Sequence, residues 1–160
     1  MQVWPPDMQT MRTRVSLALA IGLACALAAC ATGPKFSGFE QTPPGKGDIY
    51  VYREAKLFAS VQDFEIAVDG MKVGDLSNGG YLKIQVGPGA HLVRASINAG
   101  FGMASKDARV WTEDGKRSFV LVTVGLKGAN TWSFSVGQTA ESDAVKILPN
   151  LSASTAARDR

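Results

Sequence analysis

Short runs in which apolar and polar residues alternate make up most of this chain after residue 48. Such alternation is typical of β-strands with one buried face. It is clear in FEIAV (residues 64–68), in YLKIQV (residues 81–86) and in WSFSV (residues 132–136). The run FVLVTV (residues 119–124) is apolar almost throughout, which predicts a central strand buried on both faces.

Turn-forming residues separate these runs. Asp-Gly dipeptides at residues 69–70 and 114–115 predict hairpin turns, and SNGG (residues 77–80) and GPG (residues 87–89) predict further turns. Because the connections between the strands of residues 64–98 are so short, we expect these strands to form an antiparallel meander.

The predicted fold class is all-β, an antiparallel β-sandwich or small barrel that spans residues 49–148. Residues 98–107 are predicted to be a loop. The run ESDAVKIL (residues 141–148) fits either a last strand or a short helix. Residues 149–160 are predicted to be a flexible tail.

The N-terminal part of the chain has the pattern of a signal peptide. Arg12 and Arg14 precede an apolar run over residues 15–26, and small residues follow it. This apolar run is shorter than the ~20 residues that a membrane-spanning helix needs. We therefore expect residues 1–29 to be a cleaved leader, with an ordinary secretory leader or an uncleaved apolar helix as the alternatives.

The end of this leader resembles the lipobox of bacterial lipoproteins. The motif LAAC consists of Leu27, Ala28, Ala29 and Cys30, with an aliphatic residue three positions before the cysteine and two small residues between them. Cys25 lacks the aliphatic residue at the corresponding position. The resemblance implies that Cys30 is the lipid attachment site, with a diacylglycerol on its thiol and an N-acyl chain on the new amino terminus.

Several expectations about location follow from this resemblance. Two or more acyl chains anchor a protein stably, whereas one chain does so only marginally. Ala31 follows the cysteine, which implies anchoring in the outer membrane, facing the periplasm or the cell surface. In a cell with one membrane, the anchor lies on the outer face of the plasma membrane. Residues 30–48, rich in Gly and Pro after Cys30, are predicted to be a flexible tether.

Charge and composition exclude several functions. The net charge is only +3, and the basic residues are scattered, so no nucleic-acid partner is expected. Neither cysteine lies after residue 30 and His91 is the single histidine, so we expect no metal site and no cofactor apart from the lipid. No GxSxG motif accompanies His91, so we expect no catalytic residues, and a hydrolase is the third-ranked hypothesis.

Three segments of the domain carry a family resemblance. YVYR (residues 50–53) is an opening strand, DGMKVGDLSNGGY (residues 69–81) is a hairpin, and PGAH (residues 88–91) is a turn. These motifs are similar to those of the small bacterial lipoprotein family catalogued as domain of unknown function 2846. A looser resemblance is to PEGA-type modules, which are small surface β-domains. The resemblance implies a fold and a location, and it implies no activity.

The expected function is binding. The first hypothesis is a structural or accessory subunit that binds another envelope protein. The alternative is a ligand-binding domain for a sugar or a peptide, which uses Trp111, Trp132 and the loop at residues 98–107. Trp111, Trp132 and Tyr81 are the candidate contacts for a ligand or a partner. A pocket lined by both tryptophans favours the ligand, whereas an exposed apolar patch or an open sheet edge favours the protein partner. Tryptophans half-buried in the core are a further alternative.

Overall fold

The structure is a computed structural model, which describes residues 31, 33–57, 62–98, 103–126 and 132–157. The predicted signal peptide, the lipobox and Cys30 lie outside the described residues. No helix in the described part of the chain is long and apolar enough to cross a membrane. The elements, in chain order, are β1 (Gly47–Tyr52), β2 (Phe64–Val68), β3 (Met71–Leu76), β4 (Gly80–Val86), β5 (Gly89–Asn98), β6 (Met103–Thr112), β7 (Arg117–Leu126), β8 (Trp132–Thr139), α1 (Glu141–Ile147), a 3₁₀ turn (Leu148–Asn150), β9 (Ser152–Ala153) and β10 (Thr155–Ala156).

The strands form two five-stranded sheets that pack face to face, which confirms the predicted all-β sandwich. The first sheet has the order β8-β7-β1-β4-β9, and the second has the order β10-β3-β2-β5-β6. Most neighbouring strands are antiparallel, whereas β1 pairs with β7, and β4 with β9, in parallel. As predicted, β7 is an interior strand of its sheet.

The predicted meander is wrong in its connection between sheets. β2 and β3 form the expected hairpin, in which Asp69 and Gly70 both have positive φ, 51° and 85°. The chain then crosses to the first sheet, where β4 pairs with β1, and returns so that β5 pairs with β2. Alternation determines which face of a strand is buried, but it does not determine in which of the two sheets the strand lies.

The main core lies between the two sheets. β1 is buried on both faces, with Ile49 and Val51 directed towards the second sheet and Tyr50 and Tyr52 on the outer face of the first. The buried residues between the sheets are Ile49, Val51, Phe64, Ile66, Val68, Leu76, Leu82, Val93, Ala95, Ile97, Ala108, Val110, Val120, Val122, Val124 and Phe134. The opening strand YVYR therefore separates two apolar clusters.

The segment predicted to be a flexible tether is docked on the domain. Residues 33–46 lie against the outer face of the first sheet, where Phe36 and Phe39 pack on Tyr50 at ring-centroid distances of 6.3 and 5.3 Å. The ring of Phe39 also lies 5.8 Å from that of Phe119. The prediction is wrong because two phenylalanines within a Gly- and Pro-rich segment are enough to cover the aromatic side chains of the sheet.

The predicted flexible tail is also wrong as far as residue 157. Leu151 is buried, β9 pairs with β4 of the first sheet, and β10 pairs with β3 of the second. The C-terminal segment thus joins the two sheets along one side of the sandwich. The edge strands β6 and β8 lie on the opposite side.

Two uncertain segments have defined structures. Residues 141–148 contain the short helix α1, whose Ala144 is buried against the outer face of the first sheet, as is Leu148 after it. The loop predicted at residues 98–107 is wrong in its second part, because Met103 begins β6 and pairs with Asn98. Polar residues such as Lys106 obscure this strand in the sequence, since an edge strand is largely exposed.

Candidate functional site

The sandwich has two ends, and we name each after one residue. The Asn78 end carries Asn78, the last residues of β1, β3 and β7, and the first residue of β8. The Asp69 end carries the hairpin turn of Asp69, the connection from β4 to β5 and the connection from β6 to β7. This division determines which of the candidate residues are able to act together.

The chain reaches the domain at the Asn78 end. The backbone nitrogen of Ala31 donates a hydrogen bond to the carbonyl oxygen of Asn78 at 3.1 Å, and Gly33 N donates to Ala153 O at 3.2 Å. The buried amide of Asn78 also holds the segment after β1: it accepts from Lys56 N and donates to Lys56 O, both at 3.0 Å. Only one peptide unit therefore separates Cys30 from a residue docked on the domain.

An aromatic cleft of about 250 Å³ lies on the outer face of the first sheet, between the docked N-terminal segment and the C-terminal strands. Tyr81, Tyr50 and Phe36 line it, and the Phe36 ring packs edge-on against Tyr81 at 5.5 Å. Lys83 and Ser154 add polar groups. Tyr81, a residue singled out from the sequence, therefore belongs to a cleft that the sequence analysis did not predict.

Lys83 links the charged groups beside this cleft. Its Nζ lies 2.8 Å from Glu40 Oε2 and 3.5 Å from Oδ2 of the fully buried Asp48. Thr42 Oγ1 donates to the same Oδ2 at 2.7 Å, and Asp48 Oδ1 has no hydrogen-bond partner among the described residues. Lys83 therefore lines the same cleft as the three aromatic side chains, with its ammonium group paired to carboxylates.

The pKa shifts beside the cleft keep Lys83 and Glu40 charged and the two tyrosines neutral at neutral pH. Partial burial by itself would lower the pKa of Lys83, but the hydrogen bond with Glu40 and the nearby negative charges outweigh it and raise that pKa. The hydrogen bond from Lys83 lowers the pKa of Glu40. Burial raises the pKa of Tyr50 and of Tyr81. The cleft therefore presents neutral phenols and an ammonium group that is already paired with carboxylates, a combination that suits a neutral sugar better than a carboxylate.

The two tryptophans do not share a site. Trp111 is 62% exposed near the Asp69 end, where it borders an open groove of about 360 Å³ with Lys116 and Gln138. The backbone of Trp132 pairs with Leu126 at the other end of β7. Ser118, whose hydroxyl bonds Trp111 O, and Leu126 lie about 26 Å apart at roughly 3.3 Å per residue. The strand positions that carry Trp111 and Trp132 therefore lie near opposite ends of β7.

His91 is engaged on both ring nitrogens. Nδ1 lies 2.7 Å from Asp69 Oδ2, and Nε2 lies 2.8 Å from the carbonyl oxygen of Gly87. Partial burial alone would lower the pKa of His91, but these two hydrogen bonds and the Asp69 charge outweigh it and raise that pKa. Both nitrogens face acceptors, so this histidine connects two turns at the Asp69 end.

Within the described part of the chain, the edge strand β8 has no backbone pairing partner on one side, where β6 of the second sheet lies close to it. Its sequence WSFSVGQT contains no charged residue and no proline, and among the described residues it pairs only with β7. The other edge on this side, β6, contains Lys106, Asp107 and Arg109, which are the type of residue that prevents edge-to-edge pairing. Of the two edges, β8 is the one that accepts an added strand more readily.

The described residues contain no group of three or more His, Cys, Asp or Glu side chains arranged to hold a metal ion.

No family model, no curated protein and no solved structure matches this chain. The fold and the site therefore define its class as a two-sheet β-sandwich with docked terminal segments. The sequence signal for the aromatic cleft is the pair Phe36 and Phe39 in an otherwise Gly- and Pro-rich segment.

Proposed function

We propose that this protein is a lipid-anchored lipoprotein of the cell envelope, whose β-sandwich is a non-catalytic structural or accessory subunit. The lipobox LAAC at residues 27–30, directly after an apolar run, carries the proposal. Diacylglycerol and an N-acyl chain on Cys30 hold the protein in the outer membrane, facing the periplasm or the surface. In a cell with one membrane, they hold it on the outer face of the plasma membrane.

One observation supports binding to another envelope protein, and a second supports a non-catalytic role. The uncharged edge of β8 offers unpaired backbone groups to an extended segment of a partner. His91, the single histidine, has both ring nitrogens engaged within the domain, which argues against its use as a general base. Since basic residues are spread along the chain, we do not propose a nucleic-acid partner.

Co-purification from gently crosslinked envelopes tests this proposal. The full-length protein is compared with Cys30→Ala and with the double variant Ser133→Lys and Gln138→Lys, two exposed positions of β8. Ser105→Lys on the already charged edge β6 is the matched control. We expect a stoichiometric protein partner that is lost with Cys30→Ala and with the β8 variant, and is retained with the control.

Recovery of the full-length protein alone would contradict the proposal of an accessory subunit. The alternative, a ligand-binding domain, is favoured by one observation, the aromatic cleft beside Lys83. In that case, calorimetry with envelope oligosaccharides and peptides should detect binding that Tyr81→Ala weakens at least about tenfold, which corresponds to ~1.4 kcal/mol. Met71→Ala, which changes a distant exposed apolar side chain, is the control.

A further inference from the structure

The Asn78 end carries two of the most exposed large apolar side chains among the described residues. Leu57 is 99% exposed and Leu126 is 62% exposed. Single exposed leucines are common on protein surfaces and need no explanation. These two leucines lie at the end of the sandwich where the described chain begins.

Residues close to each leucine along the chain lie near the place where the described chain joins the domain. Ala31 bonds Asn78, and the side chain of Asn78 bonds the backbone of Lys56, which immediately precedes Leu57. Lys56 and Val124 border the same small recess, and Leu126 follows Val124 by two residues on β7. The first docked residue and the two leucines therefore lie on one end of the molecule.

The docked segment leaves little free chain between the lipid and the domain. Consecutive Cα atoms are about 3.8 Å apart, so the Cα of Cys30 lies roughly that distance from the Cα of Ala31. Acyl chains on Cys30 must enter the bilayer from this position. The membrane surface is therefore brought up to the Asn78 end, rather than being kept at a distance by a flexible tether.

We propose that the Asn78 end of the sandwich lies in contact with the phospholipid bilayer, with Leu57 and Leu126 inserted into its interfacial region. This inference rests on the proposed lipid attachment at Cys30. At Leu57 the contact is apolar, because the neighbouring Lys56 is paired with Glu54 at 3.8 Å. Lys127 directly follows Leu126 in the sequence and adds a positive charge next to the second leucine. The Asp69 end points away from the membrane.

Site-specific fluorescence quenching tests this orientation in the full-length protein, reconstituted in phosphatidylcholine vesicles. Leu57→Cys and Leu126→Cys are labelled with an environment-sensitive fluorophore, and the acylated Cys30 is not free to react. Met71→Cys is the matched control, because Met71 is a 72% exposed apolar residue that begins β3 next to the hairpin turn of the Asp69 end. Each label is exposed to nitroxide-bearing lipids and to aqueous iodide.

We expect nitroxide lipids to quench the labels at residues 57 and 126 at least threefold more than the label at residue 71, with the opposite order for iodide. Inserting twelve Gly and Ser residues between Cys30 and Ala31 gives a spacer of about 20 Å root-mean-square length and should reduce this difference.

Equal quenching at the three positions in acylated, vesicle-bound protein would overturn the proposed orientation and leave the lipid anchor intact. Intact mass measurement on the same preparation separates this result from failure of the proposed function. A mature chain without acyl groups on Cys30 would overturn both. A difference that persists unchanged after the twelve-residue insertion would overturn the argument that the docked segment sets the orientation.

Discussion

His91 joins two turns at the Asp69 end through its two ring nitrogens. One nitrogen faces the carboxylate of Asp69 and the other faces the carbonyl oxygen of Gly87, and both of these groups only accept hydrogen bonds. The charged imidazolium donates from both nitrogens, whereas the neutral ring leaves one acceptor facing a lone pair. The geometry therefore favours protonated His91, in agreement with its raised pKa.

This contact makes stability depend on pH with a defined sign. The pKa of folded His91 lies above its ordinary value of 6.5. The stabilisation of the folded state by protonated His91 is therefore fully present below about pH 6.5, and it is lost as the pH rises through the folded pKa. The hydrogen bond from His91 lowers the pKa of Asp69 below 3.8, so Asp69 stays ionised at pH 5. The contact is therefore complete near pH 5.

We expect Asp69→Asn to reduce the free energy of unfolding at pH 5 by up to about 1 kcal/mol, and by less at pH 8.5, where His91 has lost its charge. The effect at pH 5 is small because Asp69 is half exposed and water screens the pair. Asparagine keeps the positive φ of the turn. Urea unfolding at both pH values measures the difference, with the exposed Glu113→Gln as control. A loss of equal size at pH 5 and at pH 8.5 would show that His91 is not the titrating partner.

At the scale of elements, the two terminal segments complete the sandwich. The N-terminal segment covers the outer face of the first sheet with Phe36 and Phe39. The C-terminal segment bonds both the sheets and the N-terminal segment, as when Phe36 N donates to Leu151 O at 3.0 Å. The two ends of the described chain thus stabilise each other's position.

Limited proteolysis distinguishes a docked segment from a tether. Lys35 forms an isolated bridge with Ser152, so we expect trypsin to cleave after Lys35 at least about tenfold more slowly than in the double variant Phe36→Ala and Phe39→Ala. Cleavage after the exposed Lys56 is the internal control, because global unfolding would accelerate both cuts. Rapid cleavage after Lys35 in the unaltered protein would contradict the docked arrangement.

The pairing of β10 with β3 depends on a glycine. A Cβ atom added to Gly74 would lie 2.6 Å from the carbonyl oxygen of Thr155, too close for the two backbones to keep their positions. We expect Gly74→Ala to reduce the free energy of unfolding by about 1 to 3 kcal/mol. Gly87→Ala, which meets no atom within 4 Å, should change it by less than about 0.5 kcal/mol. Equal melting temperatures of the two variants in thermal unfolding would contradict the pairing of β10 with β3.

Local signals in the sequence predict the strands and hairpins but not the sheet order. Asp69-Gly70 specifies its turn because both residues need positive φ, and Leu82 is buried where alternation places it. The position of β4 beside β1 depends on packing between distant segments, which alternation does not encode. The strands at residues 152–156 form through backbone hydrogen bonds that many sequences are able to make, so they leave little signal.

The candidate site was harder to predict, for the same reason. Tyr81 and Lys83 are ordinary strand residues in the sequence, and they form a cleft only because Phe36 and Ser154 approach from opposite ends of the chain. Trp111 looks equivalent to Trp132 in the sequence, yet β7 separates them. Sequence reasoning finds motifs that are contiguous, such as the lipobox, more readily than sites that folding assembles.

The whole molecule is asymmetric in two directions. One side of the sandwich is closed by β9 and β10, and the other has the edges of β6 and β8. Along the perpendicular direction, the Asn78 end holds the start of the described chain, whereas the Asp69 end holds His91 and its turns. In the proposed orientation on a membrane, the edge of β8 remains open sideways to a partner in the same envelope layer.

The lipid on Cys30 is the central claim, because location, orientation and partner all depend on it. The most direct test is the intact mass and N-terminal peptide mass of the mature protein purified from envelopes. We predict a chain that begins at Cys30 and carries a diacylglycerol and an N-acyl chain, with both absent from the Cys30→Ala variant. A mature chain that retains the leader, or that begins at another residue without acyl groups, would contradict the account.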